Sequence, residues 1–223
     1  MSRVVKSGNS HGSLKHLQVL INSFPSLLAN ELHSISADID MVDWKSPLEE
    51  DDYAEYSDIS FIKVLGLEGK LVVPLKDFWP SNGPNWDALG LTNNGVILVE
   101  AKAHLNEIGS SCGAKRDSSI KKISSSLNEV KASLGIGNES NWMKDYYQYA
   151  NRIAHLYYLR TLNMVDTHLV FLYFINDTAM NGPKNISEWE VKIQEVECQL
   201  GLHKDYGLRK YIHNVFVNIK DIY

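Results

Sequence analysis

The chain has 223 residues, 44% hydrophobic and 22% charged, the composition of an ordinary globular domain rather than of a disordered segment. That length accommodates one sizeable core and argues against two. The formal net charge of -5 excludes a global positive field as the means of attracting nucleic acid, so such a partner has to be held by a local basic patch or through a metal.

Residues 1–12 are polar and contain Gly and Ser, which predicts a loose tail ahead of one domain over 13–223. From 13 to 36 the apolar residues Leu17, Leu20, Ile21, Phe24, Leu27, Leu28 and Ile35 recur at helical spacing. Pro25 is expected to kink this helix or to start its second half. Residues 45–58, with Glu49, Glu50, Asp51, Asp52, Glu55 and Asp58, read as an acidic connector. Strands are expected over 59–67 and 70–75 around a turn at Glu68-Gly69. A loop follows over 78–84, marked by its Pro and Gly. Next come a short strand over 86–92, a turn at Asn93-Asn94-Gly95 and a strongly apolar strand over 96–102. Helical patterns occupy 117–134 and 141–163. Residues 168–175 are apolar on both alternations, as in a strand covered on both faces. A helix over 187–200 opens on the capping-box pattern Ser187-x-x-Glu190, and a last strand covers 214–219. The order predicts an α/β fold, a central mixed sheet flanked by helices.

The stretch MSRVVKSGNSHGSLKH lacks the apolar core of a signal peptide, and no run approaches the ~20 apolar residues of a membrane span. Cys112 and Cys198 match no metal-ligand spacing. Free thiols and a cytoplasmic location are the expectation.

Five Asp/Glu-x-Lys triplets occur: Asp43-Trp-Lys45, Glu68-Gly-Lys70, Glu100-Ala-Lys102, Glu129-Val-Lys131 and Glu190-Val-Lys192. Context separates them. Glu68 flanks a turn glycine, and the Glu129 and Glu190 copies lie in helical patterns, where positions i and i+2 do not face each other. Asp43 lies where there is no periodicity. Only Glu100 ends an apolar strand, on which Glu100 and Lys102 share a face. If the preceding turn is Asn94-Gly95, Asp87 pairs with residue 102; if it is Asn93-Asn94, Asp87 pairs with residue 100. Either register puts Asp87 on the face of Glu100 and Lys102, with directly opposed Cβ atoms ~5 Å apart. A three-residue loop would put Asp87 opposite Ala101 instead. Two carboxylates that close repel unless a cation lies between them. Mg²⁺, or Mn²⁺ in its place, fits a pair of carboxylates with retained waters. The competing expectation is a structural ion pair at a sheet end.

The stretch Pro84-Asn-Trp-Asp87-Ala-Leu-Gly90 followed by Val96-Ile-Leu-Val-Glu100-Ala-Lys102 resembles the core motif of the PD-(D/E)xK, restriction-endonuclease-like, nuclease superfamily. Trp86 stands where the motif has Pro. The resemblance implies an αβββαβ core, Asp87 and Glu100 as metal ligands, Lys102 as the catalytic lysine, and a metal-dependent nuclease, with DNA favoured over RNA. The family often carries a glutamate on its first helix, and Glu31 lies on the apolar stripe of the first helix here. Some branches carry a Gln on a later helix, and Tyr147-Gln148-Tyr-Ala-Asn-Arg152 is similar; a solvated stripe of Gln148, Asn151, Arg152 and His155 is the alternative. Arg152 is a candidate phosphate clamp, and His104, Lys115 and Arg116 are candidate substrate contacts. The loop Gly109-Ser110-Ser111-Cys112-Gly113 is a candidate wall of the cleft. Duplex cleavage needs two sites, which a homodimer would supply. A catalytically silent nucleic-acid-binding or protein-interaction module on the same fold is the alternative function.

Overall fold

The structure, a computed structural model, describes residues 2–6, 11–36, 39, 41–137, 139–202 and 205–223. Its centre is a five-stranded mixed sheet in the order β2 (Asp43–Ser46), β4 (Ala88–Leu91), β5 (Val96–Lys102), β6 (Thr167–Ile175) and β7 (Ile212–Asn218). The β2–β4 and β4–β5 pairs are antiparallel, and β5–β6 and β6–β7 are parallel. Parallel neighbours need a crossover. These are supplied by α5 (Asp117–Ser133) with α6 (Tyr147–Tyr157), and by α7 (Ile186–Leu200). A two-stranded ribbon, β1 (Arg3–Val4) with β3 (Glu55–Tyr56), lies beside the sheet and joins it through a bridge from Tyr56 to Trp86.

Each face of the sheet has its own core. Ile97, Val99, Ala101, Val170, Leu172, Phe174, Val215 and Val217 pack on Leu17, Leu20 and Ile21 of α1 (Gly12–Ser23) and Leu28 and Leu32 of α2 (Pro25–Ile35). Leu98, Leu169, Phe171 and Tyr173 face α5, α6, α7 and α3 (Asp58–Val64). The period-2 alternation of β5 therefore sends Glu100 and Lys102 out with Leu98, toward α6 rather than toward α1.

Several expectations from sequence are corrected. Residues 59–67 form α3 and a following turn, not a strand. Phe61, Ile62 and Leu65 are buried at i, i+1 and i+4, a helical spacing that outweighs the β-branched content. Gly66 and Gly69 then turn the chain with φ of 65° and 75°. Residues 70–75 hold no strand either. The Val73 N–H donates to Asn163 Oδ1 (2.8 Å) and the Val73 carbonyl accepts from the Tyr158 hydroxyl (2.8 Å), so side chains satisfy that backbone. α4 (Leu75–Phe78) follows.

The first antiparallel edge strand is instead β2, in the stretch that lacks periodicity. It carries the Asp43-Trp-Lys45 triplet, whose two charges form an ion pair at 2.7 Å with Asp43 exposed on the sheet edge. In the expected tail, Arg3–Val4 pairs with Glu55–Tyr56; residues 1 and 7–10 of that tail lie outside the described residues. The expected helix over 13–36 divides at Phe24, which has φ -131° and ψ 42° and places Pro25 in the first turn of α2. At α7 the capping box starts two residues earlier than expected, with Asn185 Oδ1 accepting from the Glu188 N–H (3.1 Å). Among the described residues, no helix is long and apolar enough to cross a membrane.

Candidate active site

The β4–β5 hairpin sets the register on which the site depends. Leu91 pairs with Val96, Ala88 with Val99, and the Thr92 N–H donates to the Gly95 carbonyl at 2.8 Å. The two-residue loop is thus Asn93-Asn94. A Cβ on Gly95 would lie 1.9 Å from the Asp166 carbonyl oxygen, so only glycine lets the hairpin approach the start of β6. Continuing the register by one pair places Asp87 opposite Glu100.

β4 ends at Ala88, which leaves the Ala101 N–H without a ladder partner on that side. The Asp87 carboxylate takes the place of the missing strand: its Oδ2 accepts from Ala101 N at 2.8 Å. Asp87 is half-buried and Glu100 is 3% exposed.

α6 supplies the opposite wall. Tyr149 stacks on Phe171 with ring centroids 4.1 Å apart, fixing the helix phase against the sheet. Gln148 and Arg152, four residues apart, then project together onto β5. Arg152 Nε donates to Glu100 Oε2 at 2.6 Å, and Nη2 joins the same oxygen. Arg152 Nη1 donates to Asn151 Oδ1 (2.9 Å), Nη2 also donates to the Asn85 carbonyl (2.8 Å), and the guanidinium lies 4.7 Å from the centre of the Trp86 ring. Lys102 Nζ donates to Glu100 Oε1 at 2.6 Å and to Gln148 Oε1 at 3.3 Å. Both oxygens of Glu100 are thus held by cations.

The electrostatics divide the two opposed acids. Burial pushes the Asp87 carboxyl up and the Glu100 charge adds to it, against the pull of Lys102, leaving it at about 7. Burial acts on Glu100 in the same direction, but Arg152 and Lys102 overcome it and hold that carboxyl below its ordinary value. Burial lowers the Lys102 amine, yet Glu100 and Asp87 outweigh that and raise it, so Lys102 is an ammonium at neutral pH.

These residues line a cavity of about 600 Å³. Its charged lining among the described residues is Lys6, Lys102 and Arg152 against Glu55, Asp87, Glu100 and Glu107, a formal charge of -1 when all are ionised. Glu55 is a residue that sequence reading placed in a connector. It lies on β3, 4% exposed, and burial raises its carboxyl despite Lys6, 3.3 Å away. A two-residue strand is too short for an alternation pattern to reveal it; the backbone bridge from Tyr56 to Trp86, whose N–H donates to the Tyr56 carbonyl at 3.0 Å, brings it in.

The structure gathers Asp87, Glu100, Lys102, Gln148 and Arg152 in this cavity and leaves the other predicted residues elsewhere. Glu31 is exposed, because the break at Phe24 re-phases α2 so that Leu28 and Leu32 face the core. His104 is not part of the cavity lining but pairs at 3.3 Å with Glu107, which is, and Lys115 and Arg116 are exposed ahead of α5. Ser110 and Ser111 do line the cavity, and Ser110 Oγ accepts from the first turn of α6 at Gln148 N (2.8 Å). The polar stripe of α6 is not a solvated face. Asn151, Arg152 and His155 are 4%, 4% and 1% exposed, and burial lowers His155 to about 3 among Phe61, Phe78, Trp79 and Trp86. Arg152 is likewise no free phosphate clamp, since its nitrogens are engaged by the protein.

Protein-family models, curated proteins and solved structures give no match to this chain.

The donor set bears on a metal in two ways. Two opposed carboxylates in an acidic cavity, one of them raised by burial and by the other's charge, suit a hard divalent ion that keeps several waters and takes substrate oxygens. Among the described residues no group of three His, Cys, Asp or Glu could hold a metal, so the fit is to such a shared ion and not to an all-protein cage.

Proposed function

We propose that this chain is a metal-dependent phosphodiesterase of the PD-(D/E)xK type acting on nucleic acid, DNA before RNA. The observation that carries the reading is the direct opposition of Asp87 and Glu100 on one sheet face with Lys102 beside them. The element order supports it. With β3, α3 and α4 set between β2 and β4, the elements α1–α2, β2, β4, β5, α5–α6 and β6 run in the αβββαβ order, with Asp87 immediately before the second of those strands and Glu100 on the third.

In this reading Asp87 and Glu100 hold Mg²⁺ or Mn²⁺, which when bound supplies Lewis acidity toward a phosphoryl oxygen and an acidified water. Lys102 acts as an ammonium. It donates to a water or to the scissile phosphate and does not take the proton, because its neighbours favour the charged form. Gln148 orients that amine from α6. Arg152 holds Glu100 and the Asn85 carbonyl in place and is a positioning residue.

The test is calorimetric titration with Mg²⁺ and Mn²⁺, followed by cleavage assays on single-stranded, duplex and structured DNA and RNA. Metal binding that survives Asp87→Ala combined with Glu100→Ala would overturn the metal assignment. One observation favours a second reading, a silent binding module: both Glu100 oxygens are already neutralised by Lys102 and Arg152. Metal binding without cleavage of any of those substrates would select it.

A further inference from the structure

The cavity contains cations of unequal availability. Arg152 has a side chain 5% exposed and bonds to Glu100, Asn151 and Asn85, while Lys102 is 13% exposed and bonds to Glu100 and Gln148. Arg152 is taken up by protein acceptors and Lys102 by Glu100 and the scissile position, which leaves neither for a neighbouring phosphate. Lys6 differs. Its side chain is 32% exposed, and it meets Glu55 at 3.3 Å. One carboxylate does not exhaust the three N–H donors of an ammonium.

Its placement is built, not accidental. Val4 pairs with Glu55, so Lys6, two residues beyond β1, leaves the ribbon beside the strand that carries its partner. Ser2 Oγ donates to the Ser57 carbonyl (2.6 Å), Arg3 Nε donates to Asp51 Oδ1 (3.1 Å), and the Lys6 N–H reaches the Asp52 carbonyl at 3.4 Å. The ribbon is tied to the catalytic strand by the Tyr56–Trp86 bridge, next to Asp87.

We propose that Lys6 is a substrate-binding residue that receives a backbone phosphate adjoining the scissile one, with Glu55 as its positioning residue. Lysine serves such a contact as a point charge. An acidic cavity needs it, because a polyanion approaching four carboxylates meets Arg152 and Lys102 already engaged by Glu100. This rests on the nuclease reading of the same cavity and adds the N-terminal ribbon to the substrate path.

The experiment compares wild type, Lys6→Met, Lys6→Arg and Lys6→Met/Glu55→Gln on a labelled oligonucleotide that the wild type cleaves with Mg²⁺, across a salt series. The double variant removes the buried carboxylate that loss of Lys6 would leave unpaired. Lys6→Met and the double variant are expected to raise KM roughly tenfold while kcat falls far less, and to reduce the salt slope of log KM by about one. Lys6→Arg is expected to recover most of the loss. A KM and salt slope unchanged in both Met-containing variants would overturn the proposal while leaving the nuclease reading intact. If wild type cleaves nothing, the nuclease reading falls by itself, and fluorescence anisotropy on the same oligonucleotide decides Lys6. Binding weakened by the same factor in Lys6→Met and in the double variant supports it. Equal binding, or none by wild type, overturns it.

Discussion

Replacing Asp87 by Asn tests the electrostatic description of the site without disturbing its backbone bond, since the amide oxygen still accepts from Ala101 N–H. In the folded protein the Asp87 carboxyl is raised from 3.8 to about 7, by burial and by Glu100. Between those values the folded state holds a proton that the unfolded state has released, so this group makes stability fall as pH rises through the window. Each pH unit of that displacement corresponds to 1.36 kcal/mol, giving a loss of about 4 kcal/mol at most between pH 4 and pH 7. His155 and His213, held neutral by burial, act with the opposite sign below 6.5, so the quantity to read is the difference between two proteins. Urea unfolding of wild type and Asp87→Asn in EDTA, at half-unit steps from pH 5 to pH 8, isolates it. The variant is expected to gain on wild type by ~2–3 kcal/mol across that range, and the gain is expected to shrink when Mg²⁺ stabilises wild type at pH 7.5. Parallel stability curves would refute the assignment of a raised carboxyl at Asp87.

Arg152→Met leaves Glu100 with Lys102 alone in a buried setting; breaking a buried pair costs about 3–5 kcal/mol, so Tm is expected to fall by roughly 6–20 °C in a scanning calorimeter. His155→Phe removes an imidazole that the unfolded chain protonates below 6.5 and the fold keeps neutral down to about 3. Acid unfolding followed by circular dichroism is therefore expected to be shallower between pH 6.5 and 4 than in wild type. Glu31→Gln is expected to leave stability within about 0.5 kcal/mol, as an exposed substitution does, and to leave metal affinity unchanged by calorimetry; a lost metal site would show that α2 contributes a ligand after all.

The site strands were legible because their signals are local. An apolar run ending in Glu100 and Lys102 specifies a buried strand and its two faces, and the Asn93-Asn94-Gly95 turn leaves few registers, of which the one with Asp87 opposite Glu100 is realised. The same holds for α5, β6 and α7, whose long patterns survive tertiary packing. Residues 59–67 were illegible because β-branched residues with mixed periodicity take whichever state their neighbours pack, and α6 and the sheet make that state a helix. Glu31 was misread because the stripe was extended across Phe24, where a local change of φ and ψ rotates everything that follows.

Sequence alone determined that Glu100 and Lys102 share a face, because strand geometry is a property of adjacent residues. Only the tertiary structure decided what that face meets. Arg152, Gln148, Glu55 and Lys6 lie 52, 48, 45 and 94 residues from Glu100 along the chain, and no periodicity encodes contacts at such separations. Their arrival depends on helix phase, the β3–Trp86 bridge and the pairing of β1, which follow from packing of the whole chain and set the opposite shifts of the Asp87 and Glu100 carboxyls.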